Sequence, residues 1–289
     1  MTGLPHTTVA EMIRRRLDQL TPTERKAALI LLGNYPVPGL QTVAQFAKQA
    51  DVSNPTILRL ISKLGFSAYA DFQQRLRDEL EARLRSPLTK DILGQDAKGA
   101  AEIPAFAKYW ESVSSALAAS MHLIRPSEFD GAIALLADSR RPVTILGGRL
   151  TSSLALQAFL HLRELRSNVT LIDSQTATWA EHLLGVTSSN TYLLFDIRRY
   201  QDDVIRVGQE AASRGAKIIL ITDEWLSPLS AVAEHVFALR IAVNSNWDSF
   251  APISVLIEAM IARLSAQRWP EVKTRMEELE AIRRRLDTR

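Results

Sequence analysis

Residues Thr42 to Leu64 read TVAQFAKQADVSNPTILRLISKL, and this stretch decides the character of the first third of the chain. Val43, Phe46, Ala47 and Ala50 share one face of a short helix; Asp51-Val52-Ser53 breaks the period, and Ile57, Ile61 and Leu64 resume it. The spacing predicts helix, tight turn, helix. Ser53 or Asn54 stands where a helix is capped, and Pro55 sits in the first turn, where its missing N–H costs nothing. With Ile57, Ile61 and Leu64 facing inward, Thr56, Arg59 and Lys63 are expected on the opposite side. Two readings fit that face: a helix that reads the DNA major groove through hydroxyl and cationic groups, or a plain three-helix bundle whose polar side meets water.

Working outward, Val9, Ile13, Leu17 and Leu20 recur at helical spacing, and residues 1–85 contain no convincing strand, so an all-helical domain is expected there. The polar stretch SPLTKDILGQDAKG, from Ser86, mixes proline, glycine and charge, and residues 86–103 read as a linker. From 104 to 268 the short apolar runs PVTILG, NVTLID, TYLLFD, AKIILIT and HVFALRI alternate with helical segments such as Asp202 to Ser213. Runs of that kind are strands buried on both faces. They predict an α/β doubly wound parallel sheet of five strands in a three-layer αβα arrangement, with a ligand beyond the strands' carboxyl ends. Residues 269–289 place Val272, Met276, Leu279, Ile282 and Leu286 on one face of an amphipathic helix.

Composition narrows the chemistry. A chain of 289 residues, 46% hydrophobic and 23% charged, suits two soluble domains. It has no cysteine, which excludes disulfides, thiolate metal sites and cysteine nucleophiles, and none of its five histidines is spaced as a ligand pair. No metal and no cofactor is therefore expected. No basic region followed by an apolar run opens the sequence and no apolar run has spanning length, so a cytoplasmic location without membrane contact is expected. Residues 1–86 hold twelve Lys/Arg against eight Asp/Glu, a modest basic bias compatible with nucleic acid.

The stretch LTPTERKAALILLGNYPV, followed by TVAQFAKQADVSNPTILRLISKLGFSAYADFQQRL, resembles the N-terminal domain of the RpiR family of bacterial transcriptional regulators. The most specific part is VS-x-x-T-I-x-R-x-x-x-K-L-G-F-x-x-Y-x-x-F. The resemblance implies a double-stranded DNA operator as partner, with Ser53, Asn54, Thr56, Arg59 and Lys63 contacting it. Arg59 suits either a base edge or a phosphate. Gly65 reads as a helix C-cap, and Phe66, Tyr69 and Phe72 as core anchors of the following helix rather than DNA contacts.

The second domain resembles a sugar isomerase (SIS) domain, clearest at GGRLTSSLALQ, DDVIRVGQEAASRGAKIILITD and SPLSAVAEHVFAL. In the general SIS pattern the first strand ends in G-x-G-x-S, and the third ends in S-x-S-G-x-T, which cradles a sugar phosphate. Here the third loop is Asp196-Ile197-Arg198-Arg199-Tyr200-Gln201, with Arg199 where the pattern has glycine. At the first loop Gly147 matches, beside Gly148, but Arg149 replaces the second glycine and Thr151 the serine, followed by Ser152 and Ser153. Hydroxyls are lost and guanidiniums gained, which points to a small anionic metabolite held by Gly147, Gly148, Arg149, Thr151, Ser152, Ser153, Asp196, Arg198, Arg199 and Tyr200. The competing reading is a closed ion-pair network in which Asp196 holds one of the arginines. An isomerase-type enzyme with an accessory helical domain is the other alternative, with Glu181 and His182 as its acid–base candidates. A homodimer, or a tetramer built from dimers, is expected for a regulator of this plan.

Overall fold

In a computed structural model of the chain, residues 7–84, 105–173 and 175–286 are described; the linker expected at 86–103 lies outside them. The helical domain comprises α1 (Val9–Arg16), α2 (Pro22–Gly33), α3 (Val37–Leu40), α4 (Val43–Ala50), α5 (Asn54–Lys63) and α6 (Tyr69–Leu84). Three of these helices start on the same local chemistry. Thr8, Thr21 and Thr42 each accept the N–H three residues on, and Glu11, Glu24 and Gln45 reach back to the capping residue's own N–H, so two orphan donors are satisfied per helix start. Asp51 takes a left-handed backbone (φ 50°) in the turn between α4 and α5, and Gly65 (φ 99°) ends α5. Ile57, Leu60, Ile61 and Leu64 are buried, Phe72 is fully so, and Phe66 meets its ring edge-on at 5.5 Å.

The second domain runs α7 (Ala105–Met121), α8 (Pro126–Ala137), β1 (Val143–Gly147), α9 (Ser152–Leu165), β2 (Val169–Leu171), β3 (Thr191–Phe195), α10 (Asp202–Ser213), β4 (Lys217–Asp223), β5 (His235–Leu239), α11 (Ala251–Gln267) and α12 (Trp269–Arg285). The five strands lie in the order β2-β1-β3-β4-β5 and all pair in parallel, with Ile145 opposite Leu193 and Leu193 opposite Ile219. Alternation along the strands divides the apolar side chains between two cores. Ile145, Leu193, Phe195, Ile219, Ile221 and Phe237 face α8, α9 and α11. Leu146, Tyr192, Leu194, Ile218 and Leu220 face α10. Strand order reverses between β1 and β3, and a doubly wound sheet binds its ligand in the crevice beyond such a reversal.

The two domains share a third core: Leu226 and Ala238 of the α/β domain pack among Val9, Ile13, Ala28 and Leu31 of the helical one. Polar contacts join them too, with Thr8 Oγ1 donating to the Glu224 carbonyl (3.4 Å), Arg14 to that of Val236 (3.3 Å), and Glu11 paired with Arg240 at 2.7 Å. α12 does not stand apart from the sheet domain, since Val272 is buried and Arg275 donates to the Arg163 carbonyl of α9 at 2.8 Å. Among the described residues no helix is long and apolar enough to cross a membrane.

Candidate nucleic-acid interface and effector cavity

On α5 the structure separates the five residues expected to meet DNA. Ser53, Asn54 and Arg59 are exposed at the helix start and along its outer face. Thr56 is not: it is 3% exposed, its hydroxyl lies 2.9 Å from that of Ser53, and Arg59 reaches it at 3.4 Å. The expectation that Thr56 lies on the outer face is therefore corrected. Position 56 adjoins Ile57, and the buried arc of α5 is wide enough to take in both. Ser53 holds the N-cap position, yet its side chain makes no cap bond to a backbone N–H. Lys63 bends back to Glu24, with Nζ 2.7 Å from Oε2. Burial pushes the Glu24 carboxyl up, but the Lys63 bond and the Thr21 donors outweigh it and hold the group below its ordinary value. Leu58, which sequence reasoning passed over, is 48% exposed on α5; an apolar side chain there is the type that contacts a thymine methyl.

The second site is a cavity of about 620 Å³ at the strand-order reversal, lined by Gly148 to Thr151 after β1 and by Asp196 to Asp203 after β3. Gly147 is required by packing, because a Cβ there would lie 2.4 Å from the Thr151 carbonyl oxygen. Thr151 is buried and staples the two loops: its hydroxyl accepts from Gly148 N (2.7 Å) and donates to the Phe195 carbonyl (2.8 Å). Ser152 and Ser153 are exposed, and their hydroxyls donate back to the carbonyls of Arg149 and Leu150. Gln201 fills the mouth of the first loop, its side-chain oxygen accepting Arg149 N at 2.9 Å.

The three arginines have different fates. Arg198 lies over the Trp225 ring, 4.6 Å from its centroid, and its guanidinium grips Asp248 in two places, through Nε at 3.1 Å and through NH2. The carboxylate paired with Arg198 is thus Asp248, a residue the sequence reading did not name, while Asp196 accepts Gln201 N (3.2 Å) and the Ser227 hydroxyl. Asp248 sits in the irregular stretch between β5 and α11, fifty positions from its partner, where no periodicity betrays it. Arg149 and Arg199 are both exposed at the cavity, one from each loop. Arg199 adopts φ 65°, the left-handed conformation a glycine would favour. Tyr200 gives its O–H to Asp223 at 2.7 Å, and Arg198 N donates to the same carboxyl. Burial keeps Asp223 above the usual carboxylate range even with these donors. Glu181 and His182 lie on the 3-10 segment Thr176–Leu183, outside the residues that line the cavity.

A recognition helix on a capped helical domain, joined to a doubly wound sheet whose cavity opens at the β1/β3 reversal, defines a helix-turn-helix transcriptional regulator with a ligand-type α/β domain. Residues 7–83 match the helix-turn-helix domain of the rpiR family, and residues 135–263 match the SIS domain. The chain belongs to the RpiR family of regulators. It is 26% identical to the HTH-type transcriptional regulator HexR of Pseudomonas aeruginosa over 84% of this chain and 82% of that protein. It is 27% identical over 76% of its length to the bifunctional protein glk of Burkholderia thailandensis, but spans only 33% of that protein. Among solved structures, the sugar isomerase domain of an RpiR transcription factor from Sphaerobacter thermophilus superposes with a TM-score of 0.58 at 15% identity, over 61% of this chain and 98% of that one. The Vibrio vulnificus NanR protein complexed with ManNAc-6P superposes with a TM-score of 0.53 at 17% identity, over 98% of this chain and all of that one. At these identities the structural matches speak for the fold.

Proposed function

We propose that this regulator binds a cytoplasmic duplex operator through Ser53, Asn54, Leu58 and Arg59 of the α5 region, and that a small anion in the β1/β3 cavity sets its affinity for that operator. The observation that carries the effector assignment is the pair Arg149 and Arg199, exposed on the two loops that face each other across the cavity. Guanidinium pairs bidentately with carboxylate or phosphate, and two of them on separate loops suit a ligand with an acidic group. That NanR was solved with ManNAc-6P makes a phosphorylated sugar one member of the class to be tried. The hydroxyl-rich cradle of the general SIS pattern is replaced, so other phosphate and carboxylate anions belong in the same trial.

Sensing is favoured over catalysis because Glu181 and His182 do not line the cavity. The operator is recovered by selecting duplexes from a random pool with the full chain, and its binding should weaken steeply with salt. Isothermal titration of sugar phosphates and of carboxylate anions then tests the cavity, with Arg149→Ala and Arg199→Ala each expected to weaken the best binder at least tenfold. Equal binding by wild type and both variants, or binding of neutral sugars alone, would sink the assignment.

A further inference from the structure

The turn that follows β4, Asp223-Glu224-Trp225-Leu226, touches both functional halves of the molecule. Asp223 receives two donors from the cavity loop, Tyr200 O–H (2.7 Å) and the N–H of Arg198, and a third from within its own turn, Trp225 N–H (3.0 Å). Trp225 itself lies under the Arg198 guanidinium. The alternate residues face the other way. The Glu224 carbonyl accepts from Thr8 Oγ1, and its Oε2 accepts Ile241 N (3.3 Å), the residue next to Arg240. Arg240 in turn pairs with Glu11, and both side chains are buried. Thr8 and Glu11 are the two halves of the capping box that starts α1. Leu226, held at φ 60° by a turn in which its N–H donates to the Asp223 carbonyl (3.1 Å), is buried in the core of the helical domain.

Four consecutive residues thus alternate between the effector loop and the DNA-binding domain, and planar peptides leave few soft dihedrals between them to absorb a displacement. We propose that the turn Asp223–Leu226 couples the Arg198–Tyr200 loop to the docking of α1, so that occupancy of the cavity alters how firmly the helix-turn-helix domain is held. The proposal rests on the reading of that cavity as the effector site, and it supplies the regulatory route from it. A ligand that draws Tyr200 or Arg198 away from Asp223 loosens the turn. The Thr8 and Glu11 contacts and the Leu226 packing weaken with it. By linkage the effect runs both ways, so loosening α1 must also loosen the loop.

Hydrogen exchange on the full chain without any ligand tests this, because local opening reports directly on each end. Tyr200→Phe removes the Tyr200–Asp223 bond and touches nothing in α1, yet it is expected to speed exchange of the Ile13–Arg16 amides about tenfold. Glu11→Gln, which keeps the capping geometry but removes the charge facing Arg240, is expected to speed exchange at 201–205 by a similar factor. The amides of α12 serve as the reference and should not change in either variant. Unchanged exchange at the far end in both variants, or acceleration everywhere including α12, overturns the coupling. The assay uses no effector, so its result stands apart from whether an anion binds: coupled ends with no anion bound would refute the cavity assignment alone.

Discussion

At the scale of single residues, the two cations of α5 differ in what they can give to DNA. Arg59 is exposed, with a long contact to Thr56, whereas Lys63 is tied to the buried Glu24 carboxylate. Arg59→Ala should therefore cost operator affinity about 1–3 kcal/mol, in the range of a lost base or bidentate contact. Lys63→Ala should cost less affinity but lower the thermal midpoint, since Glu24 is left buried without its partner. Fluorescence anisotropy with the selected duplex, beside thermal unfolding, separates the two; a larger affinity loss for Lys63→Ala would reverse the assignment. Arg199 offers a second contrast. Its left-handed backbone costs an L-residue about 1–2 kcal/mol, so Arg199→Gly should stabilise the chain by up to ~1 kcal/mol while weakening anion binding. Chemical denaturation and titration of the same variant check both signs. Loss of stability would mean that the Arg199 side chain makes contacts that outweigh the strain.

At the scale of elements, the reading from periodicity located α4, α5 and all five strands, because these are the segments where one buried face or two leaves a regular pattern. The loop after β3 was singled out by the SIS resemblance instead, through its departure from the general pattern at those positions. What both missed depends on contacts between distant parts of the chain. Thr56 is inside because the arc buried by α2 and α4 extends past Ile57, and Asp248 reaches Arg198 from a loop with no pattern of its own. The apolar stripe expected on the C-terminal helix is only partly consumed: Val272 is buried, while Ile282 and Leu286 stay exposed, as do Leu156 and Leu160 of α9. Between α9 and α12 lies an open groove of about 540 Å³ in which Leu160, Leu279 and Ile282 are flanked by the charged side chains of Arg163, Glu164, Arg275, Glu278 and Arg283. An apolar strip with a charged rim suits pairing with a second copy, the arrangement expected if the operator has two half-sites. Leu160→Glu should shift the mass measured by light scattering at micromolar concentration toward the monomer and weaken operator binding. A wild-type monomer under those conditions, or a mutant mass equal to wild type, would exclude this face.

At the scale of the whole molecule, the two domains meet over a seam rich in ionisable groups: the buried Glu11 and Arg240 pair, the half-buried Arg14 and the buried Glu224. Arg14 is pulled down to about 10, first by burial and then by repulsion from Arg125. Glu224 is pushed up to about 8 from an ordinary 4.5, first by burial and then by the charge of Asp223, with the Ile241 N–H and Arg198 only partly offsetting them. A carboxyl whose value is raised in the folded state binds its proton more tightly there than in the unfolded chain. Its contribution to stability is therefore complete below about pH 4.5 and is lost as pH rises toward 8, at about 1.4 kcal/mol per pH unit for a single group. Glu24 and Glu128, both held below their ordinary values, act with the opposite sign, but only at the acid end of the range. Glu224→Gln keeps the side chain's shape and an oxygen to accept the Ile241 N–H, and cannot ionise. The thermal midpoint of wild type should consequently fall relative to that of Glu224→Gln between pH 5 and pH 8, and α1 exchange should quicken over the same interval in wild type only. Midpoint curves that stay parallel across this range would show that Glu224 carries no proton at the seam. The Glu224 carbonyl and the Leu226 side chain would then remain as the neutral means by which the turn after β4 holds the DNA-binding domain.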